Sequence, residues 1–402
     1  MKINRFYGYI CFCDEAVQKN MGNLLKVKSL TTQQYMSKKY VTKSFQNKIM
    51  PYLTTFDDAE KKQFYDDADL AVQELVSFGK DHKEVLWIMQ SIGLYLYGNS
   101  GKNFYVDYQK ISLSDDCVFW TMQPPGGGCV HLFQMPEGKL LIDAGYGVNY
   151  DDWVRTLSTF SLGDFSDVKH VLCTHGDADH VGMTGLLPVP PFVHPITQDL
   201  LDHGSRTFAS TNNLLLLERV YTTTVNTFSQ LAFPKEYILS KTEPLRMRGI
   251  FPVIDEISFA GLNFEVWESL GGHLAGQLFF YEPTEGLLFT SDAILNFATL
   301  TPWRLRYGSI PDYLINSVNI DSALARHERG ELMKLAVELD AELRKKGKRI
   351  RLCCGHGAVS AIDVHGDLEV IDPVVHYSPR KFTEGLHDLI AKISWFVKRR
   401  LI

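Results

Sequence analysis

Apolar and polar positions give the chain two textures. Through about the first hundred residues, apolar side chains recur at helical intervals, in Ala59 to Phe78 and again in Lys83 to Leu96, against a background rich in Lys, Gln, Asp and Tyr. That spacing predicts helices, closed by Asn99-Ser100-Gly101. From Cys117 the apolar runs become short and are separated by Gly and Pro. Val130 to Met135, a turn at Pro136-Glu137-Gly138, and Lys139 to Asp143 predict a β-hairpin ending in the glycine-rich Ala144-Gly145-Tyr146-Gly147. A helix from about Asp151 to Phe160 and a strand from Val168 to Thr174 follow.

The segment from Gly185 to Phe259 is harder to read, with a short strand at Phe192-Val193-His194 and mostly helix from Gln198 to Val220. Strands resume at Ile257 to Ala260 and Leu262 to Trp267. A second hairpin joins Gln277–Tyr281 to Gly286–Thr290 and runs into Ser291-Asp292. Asp321 to Lys345 has the pattern of a long amphipathic helix, and Arg349 to Cys354 is a last strand before Gly355-His356-Gly357. These textures divide the chain into a helical accessory region, 1–115, and a mixed α and β unit, 116–402.

Composition narrows the classes. With 402 residues, 45% of them hydrophobic, the chain can furnish a large core. A net charge of -6 argues against a surface that coats nucleic acid. The basic Val397-Lys398-Arg399-Arg400 is read as a solvated helix end. Seven cysteines, without regular spacing, predict a reducing compartment and a cytoplasmic protein. Cys11-Phe12-Cys13 and Cys353-Cys354 lack the two-residue spacer of redox or zinc pairs. Neither Phe6 to Cys13 nor Val85 to Tyr97 is long enough to span a bilayer, so no membrane association is expected.

The candidate chemistry lies in His175-Gly176-Asp177-Ala178-Asp179-His180, on a loop at a strand's end. Two imidazoles and two carboxylates in six positions suit a divalent metal and are costly to bury without one. His273, Asp292 and His356 also follow predicted strands, which makes seven ligand types and favours two ions, since one catalytic ion keeps three or four protein ligands and an open position. Other residues read more plainly. His131 and His194 are read as structural, His327 with its charged neighbours as a solvated helix face, and Ser317 to Ser322 as a helix N-cap that could also face the cleft. Gly126-Gly127-Gly128 lacks a phosphate-loop continuation and is read as a flexible turn beside the site; Trp303, Tyr307 and Tyr313 could line a pocket, with core packing the plainer role.

The order of these motifs, over roughly residues 117 to 360, resembles the metallo-β-lactamase-fold hydrolases. The resemblance implies an α+β fold, an αββα sandwich of two mixed sheets with metals at one edge. It implies a first metal on His175, Asp177 and His273, a second on Asp179, His180 and His356, and Asp292 bridging them, with Asp143 supporting the ligand loop. The implied activity is that of a dinuclear metal-dependent hydrolase whose metal-bound hydroxide attacks an ester, phosphoester or similar bond of a small-molecule substrate, Asp179 orienting the nucleophile.

The family's commonest pattern has histidine where this chain has Asp177. A carboxylate shifts preference from zinc towards manganese or iron. It also leaves open a di-iron redox protein related to the flavodiiron oxygen and nitric oxide reductases, without their flavin domain. For the N-terminal region, capping, oligomerisation into a homo-oligomer and substrate selection are the roles open to it.

Overall fold

The computed structural model describes residues 39–204, 206 and 215–380. The segments Phe6–Cys13 and Val397–Arg400 lie outside the described residues. Two sheets form the centre. The first has eight strands, in the order Val375–Tyr377, Val106–Ser112, Val118–Gln123, Val130–Met135, Gly138–Ile142, Val168–Leu172, Phe192–Val193 and Ile238–Leu239. Its first half is antiparallel, and the pairings from Gly138–Ile142 onward are parallel. The second has six strands: Arg351–His356, Leu287–Leu295, Leu278–Glu282, Leu262–Glu268, Phe251–Phe259 and Arg246–Arg248. Only its pairing of Leu287–Leu295 with Arg351–His356 is parallel.

The sheets face each other across one apolar core in which Phe119, Phe133 and Ile142 of the first meet Phe264, Phe280 and Phe289 of the second. Alternating strand positions deliver these rings, and Phe133 and Phe264 meet edge to face at 5.7 Å between centroids. The outer face of the first sheet is covered by the helix Tyr150–Thr159, whose Trp153 and Leu157 are buried against Leu132 and Val171. The outer face of the second is covered by the helix Ser322–Arg344 through Leu332, Leu335 and Leu339. This is the expected αββα sandwich.

The predicted N-terminal helices are Asp58–Ser77 and His82–Gly98. Asp57 with Glu60 forms a capping box at the first, and Asp81 caps the second by accepting from Lys83 N and Glu84 N. They share a core with two helices from later in the chain, Leu215–Phe228 and Ile310–Ile315, and with Tyr146 beside the candidate site. The stretch read as helical up to 115 also contributes the strand Val106–Ser112, which pairs with Val118–Gln123. Its apolar residues were too few and too irregular to announce it. Among the described residues no helix is long and apolar enough to cross a membrane.

Candidate metal centre

The ends of strands from both sheets converge at one edge of the sandwich. His175 follows Val168–Leu172, and Asp179 and His180 sit on the short helix Ala178–Val181. His273 is on the loop between Leu262–Glu268 and Leu278–Glu282, and His356 ends the strand Arg351–His356. Asp292 lies inside a strand rather than after one. The register of Leu287–Leu295 against Arg351–His356 slips on both sides of Ser291, and Ser291 has φ 51°. Such an irregularity turns a side chain out of the normal alternation, here towards the site.

All seven candidates come together. His175 Nε2 is 3.3 Å from His273 Nε2 and 3.5 Å from Asp177 Oδ2, which is 3.4 Å from His273 Nε2. His356 Nε2 is 3.4 Å from Asp179 Oδ2, and His180 Nε2 is 3.7 Å from the same oxygen. Asp292 stands between the two sets, with Oδ1 at 3.3 Å from His180 Nε2 and Oδ2 at 3.4 Å from His356 Nε2 and 3.7 Å from His273 Nε2.

Three of the four imidazoles are oriented from behind. Asp143 Oδ2 lies 2.7 Å from His180 Nδ1, Ser291 Oγ 2.9 Å from His175 Nδ1, and Asn319 Oδ1 3.0 Å from His273 Nδ1. Asp143 also accepts from Thr174 N and Thr174 Oγ1, tying it to the residue before His175. The loop carrying His273 is held by Glu328, a buried carboxylate that accepts from Ser269 Oγ, Leu270 N and Gly272 N.

These groups fit a pair of cations. Donors about 2.0–2.1 Å from a common tetrahedral centre stand about 3.4 Å from one another, close to the spacing of His175, Asp177 and His273. His180 Nε2 and Asp292 Oδ1 are buried and find no hydrogen-bond partner among the described residues. Buried polar atoms left so are costly unless a partner satisfies them. Three carboxylates, Asp177, Asp179 and Asp292, crowd the site, and of these Asp177 is paired directly with the guanidinium of Arg206.

The electrostatics follow from this crowding. Burial works against the charged form of Asp292, but the imidazoles of His356 and His180 hold its carboxyl well below the usual range. Asp177 is likewise held low against burial by Arg206, His175 and His273. Burial opposes charge on His180 too, yet Asp179, Asp143 and Asp292 together hold it well above an ordinary imidazole.

A cavity of about 340 Å³ opens onto the cluster. Asp177, Asp179, His273, Asp292 and His356 are exposed to it. Its walls include Tyr146, Tyr221 and Tyr307. Tyr146 Oη and Tyr307 Oη are 3.2 Å apart, and Tyr95 of the N-terminal helices stacks on Tyr307 at 4.0 Å. Burial raises the phenol pKa of both Tyr146 and Tyr307, so each carries its proton at neutral pH.

Sequence reading placed several neighbours correctly and missed others. His194 takes a structural role, capping the helix Pro195–Asp202 by accepting from Ile196 N. Asp321 caps Ser322–Arg344, while Asn319 reaches His273. Gly126-Gly127-Gly128 is beside the site, as expected, and is buried there. A Cβ on Gly128 would lie 2.6 Å from His180 Cε1, so only glycine allows this approach. His327 is solvated as expected, whereas its neighbour Glu328 is buried and anchors the His273 loop. Arg206 was not anticipated, because the segment that carries it has no ligand pattern or clear period. Ser291 was read only as the residue before Asp292, and Tyr146 only as part of a glycine-rich loop.

The model of the metallo-beta-lactamase superfamily matches residues 124–356. Similar solved structures include a motif mutant of a metallo-beta-lactamase from Cronobacter sakazakii, at 12% identity, covering 61% of this chain and 79% of that one with TM-score 0.37. A metallo-beta-lactamase from Pontibacter korlensis is 16% identical, covering 63% of this chain and 92% of that one with TM-score 0.35. A mutant flavo di-iron protein from Thermotoga maritima is 13% identical, covering 63% and 58% with TM-score 0.35. No curated protein matches the chain.

Proposed function

Because this chain belongs to the metallo-β-lactamase superfamily, we propose that it is a dinuclear metal-dependent hydrolase of a small-molecule ester, phosphoester or similar bond. The observation that carries this reading is the pair of three-residue sets, His175, Asp177, His273 and Asp179, His180, His356, with Asp292 between them on the floor of the cavity. These residues would hold two divalent cations, zinc, manganese or iron. Bound there, such ions supply Lewis acidity and make water a nucleophile near neutral pH.

The chain's own groups do the positioning. Asp179 faces His180 and His356 through Oδ2 and lines the cavity, where it can orient an attacking water and take its proton. The phenols of Tyr146 and Tyr307, protonated and on the cavity wall, offer hydrogen bonds to a substrate oxygen or leaving group. The cavity's volume is at the lower end of the range for small-molecule sites, which supports a small substrate over a polymer. The five described cysteines are all free and buried, in keeping with the proposed cytoplasmic compartment.

Metal analysis of the purified protein, followed by chromogenic esters and phosphodiesters with that metal supplied, tests the proposal. Turnover lost in both Asp179→Asn and His175→Ala is the expected result. Unchanged turnover in both would sink it. Asp177, an oxygen donor in a position where histidine is common, supports one other reading. Bound iron whose visible absorption bleaches on reduction, without hydrolysis, would make the protein a di-iron redox protein instead.

A further inference from the structure

Arg206 is buried to 5% exposure at the edge of the cluster, and it touches two of the three members of the first set. Its Nη1 donates to Asp177 Oδ2 at 2.9 Å, and its Nη2 donates to His273 O at 3.3 Å and to Val318 O. Its Nε lies 3.4 Å from Oε1 of the buried Glu218, on the helix Leu215–Phe228. A guanidinium keeps its charge in proteins, and one this deep persists only if it is paired.

The oxygen that Arg206 holds is the one that faces His175 and His273. Any cation bound by the first set would therefore share Asp177 Oδ2 with Arg206. A histidine at this position would be neutral, an aspartate adds one negative charge, and the guanidinium beside it, shared with Glu218, offsets part of that charge.

We propose that Arg206 is a charge-matching and positioning residue of the first set, which aims Asp177 Oδ2 at His175 and His273 while drawing charge from it. The inference rests on the two-cation reading above. The first set then binds its cation more weakly than the second set, which has no guanidinium bonded to Asp179 among the described residues. Arg206 also brings a carboxylate at this position nearer to an imidazole in charge, because the guanidinium offsets part of what Asp177 adds.

The experiment titrates metal-free protein with zinc and with manganese against a competing chelator, reading two stepwise affinities and the rise in Tm on loading. In Arg206→Gln the weaker affinity should tighten by about tenfold or more, since a cation within a few ångströms of the site is gone. The Tm rise on loading should grow, because metal then replaces the missing counter-charge of Asp177. Asp177→His alone should bind the first ion more weakly than the wild type, with Arg206 left facing an imidazole and a cation. The double variant Asp177→His with Arg206→Gln should bind more tightly than Asp177→His.

Equal affinities in the wild type and Arg206→Gln would overturn the proposal, as would Asp177→His binding no worse than the double variant. If Arg206→Gln does not fold, Arg206→Lys serves, since it keeps the charge without the fork. It should retain the weak first affinity, and a tenfold gain in it would count against the idea. A wild-type protein that binds fewer than two equivalents overturns the two-cation reading itself, and this inference with it.

Discussion

Asp143 Oδ2 lies 2.7 Å from Nδ1 of His180, and the same carboxylate takes both the N–H and the hydroxyl of Thr174. With Nδ1 bound in this way, His180 presents Nε2 to Asp292 and the cavity. One buried side chain, itself at φ 60°, thus orients a proposed ligand and fixes the start of the ligand loop. Asp143→Asn, whose amide cannot accept all three bonds, is expected to weaken metal binding by about 10–100-fold. Chelator competition measures it, and an unchanged affinity would show that His180 is held by packing alone.

Glu328 performs the same service for the loop of His273. In Glu328→Gln an amide NH₂ must face N–H donors of Leu270 or Gly272, leaving buried donors without acceptors. The expected cost is roughly 3 kcal/mol of stability by urea denaturation, with weaker binding at the first set. A loss below about 1 kcal/mol would mean that the loop keeps its shape without the carboxylate.

Glycine is required where the strand Arg351–His356 passes Asp292. A Cβ on Gly355 would fall 2.0 Å from Asp292 Oδ1 and 2.8 Å from the carbonyl carbon of Ser291. Gly355→Ala should therefore displace Asp292 and reduce the bound metal while circular dichroism stays near native. Gly330, in the exposed middle of Ser322–Arg344, has open space around it. Gly330→Ala is the control, expected to retain full metal content and to gain about 1 kcal/mol. Equal metal content in the two variants would refute the steric argument.

His131 gives a pH signature dominated by burial, with smaller contributions from Asp143 and His180. Burial, foremost, lowers its pKa from 6.5 to about 4, so it is neutral in the fold among Phe119 and Phe289. The unfolded chain binds the proton more readily, so this contribution is complete above about pH 6.5 and is lost as pH falls towards 4. Its upper limit is roughly 3 kcal/mol. In His131→Phe the fall in stability between pH 6.5 and 4, measured on metal-free protein, should be shallower than in the wild type. Parallel curves would assign the acid sensitivity elsewhere.

The strand and loop order around the cluster could be read in advance because each ligand follows a run of strong local preference. The β-rich run Val168 to Thr174, the hairpin turn at Pro136 to Gly138, and the cap Asp321 all act within a few residues of one another. The helices Pro302–Gly308 and Ile310–Ile315, which bring Tyr307 to the cavity, were not legible. They are short, and they owe their place to packing against residues such as Tyr95, far away in sequence.

By itself, then, the sequence determined the donor types and their grouping into His175 to His180 with three distant partners, which follow from local periodicity and the chemistry of imidazole and carboxylate. The αββα sandwich that spaces them was implied by the family resemblance those motifs carry. Only the tertiary structure decided that Arg206 pairs with Asp177, that Glu328 faces inward, and that Tyr146 meets Tyr307 on the wall of a cavity that Ile92 of the N-terminal helices also lines. Those relationships depend on which buried charge or phenol finds which partner across 29 to 161 residues of chain, and no local propensity encodes a distance of that kind.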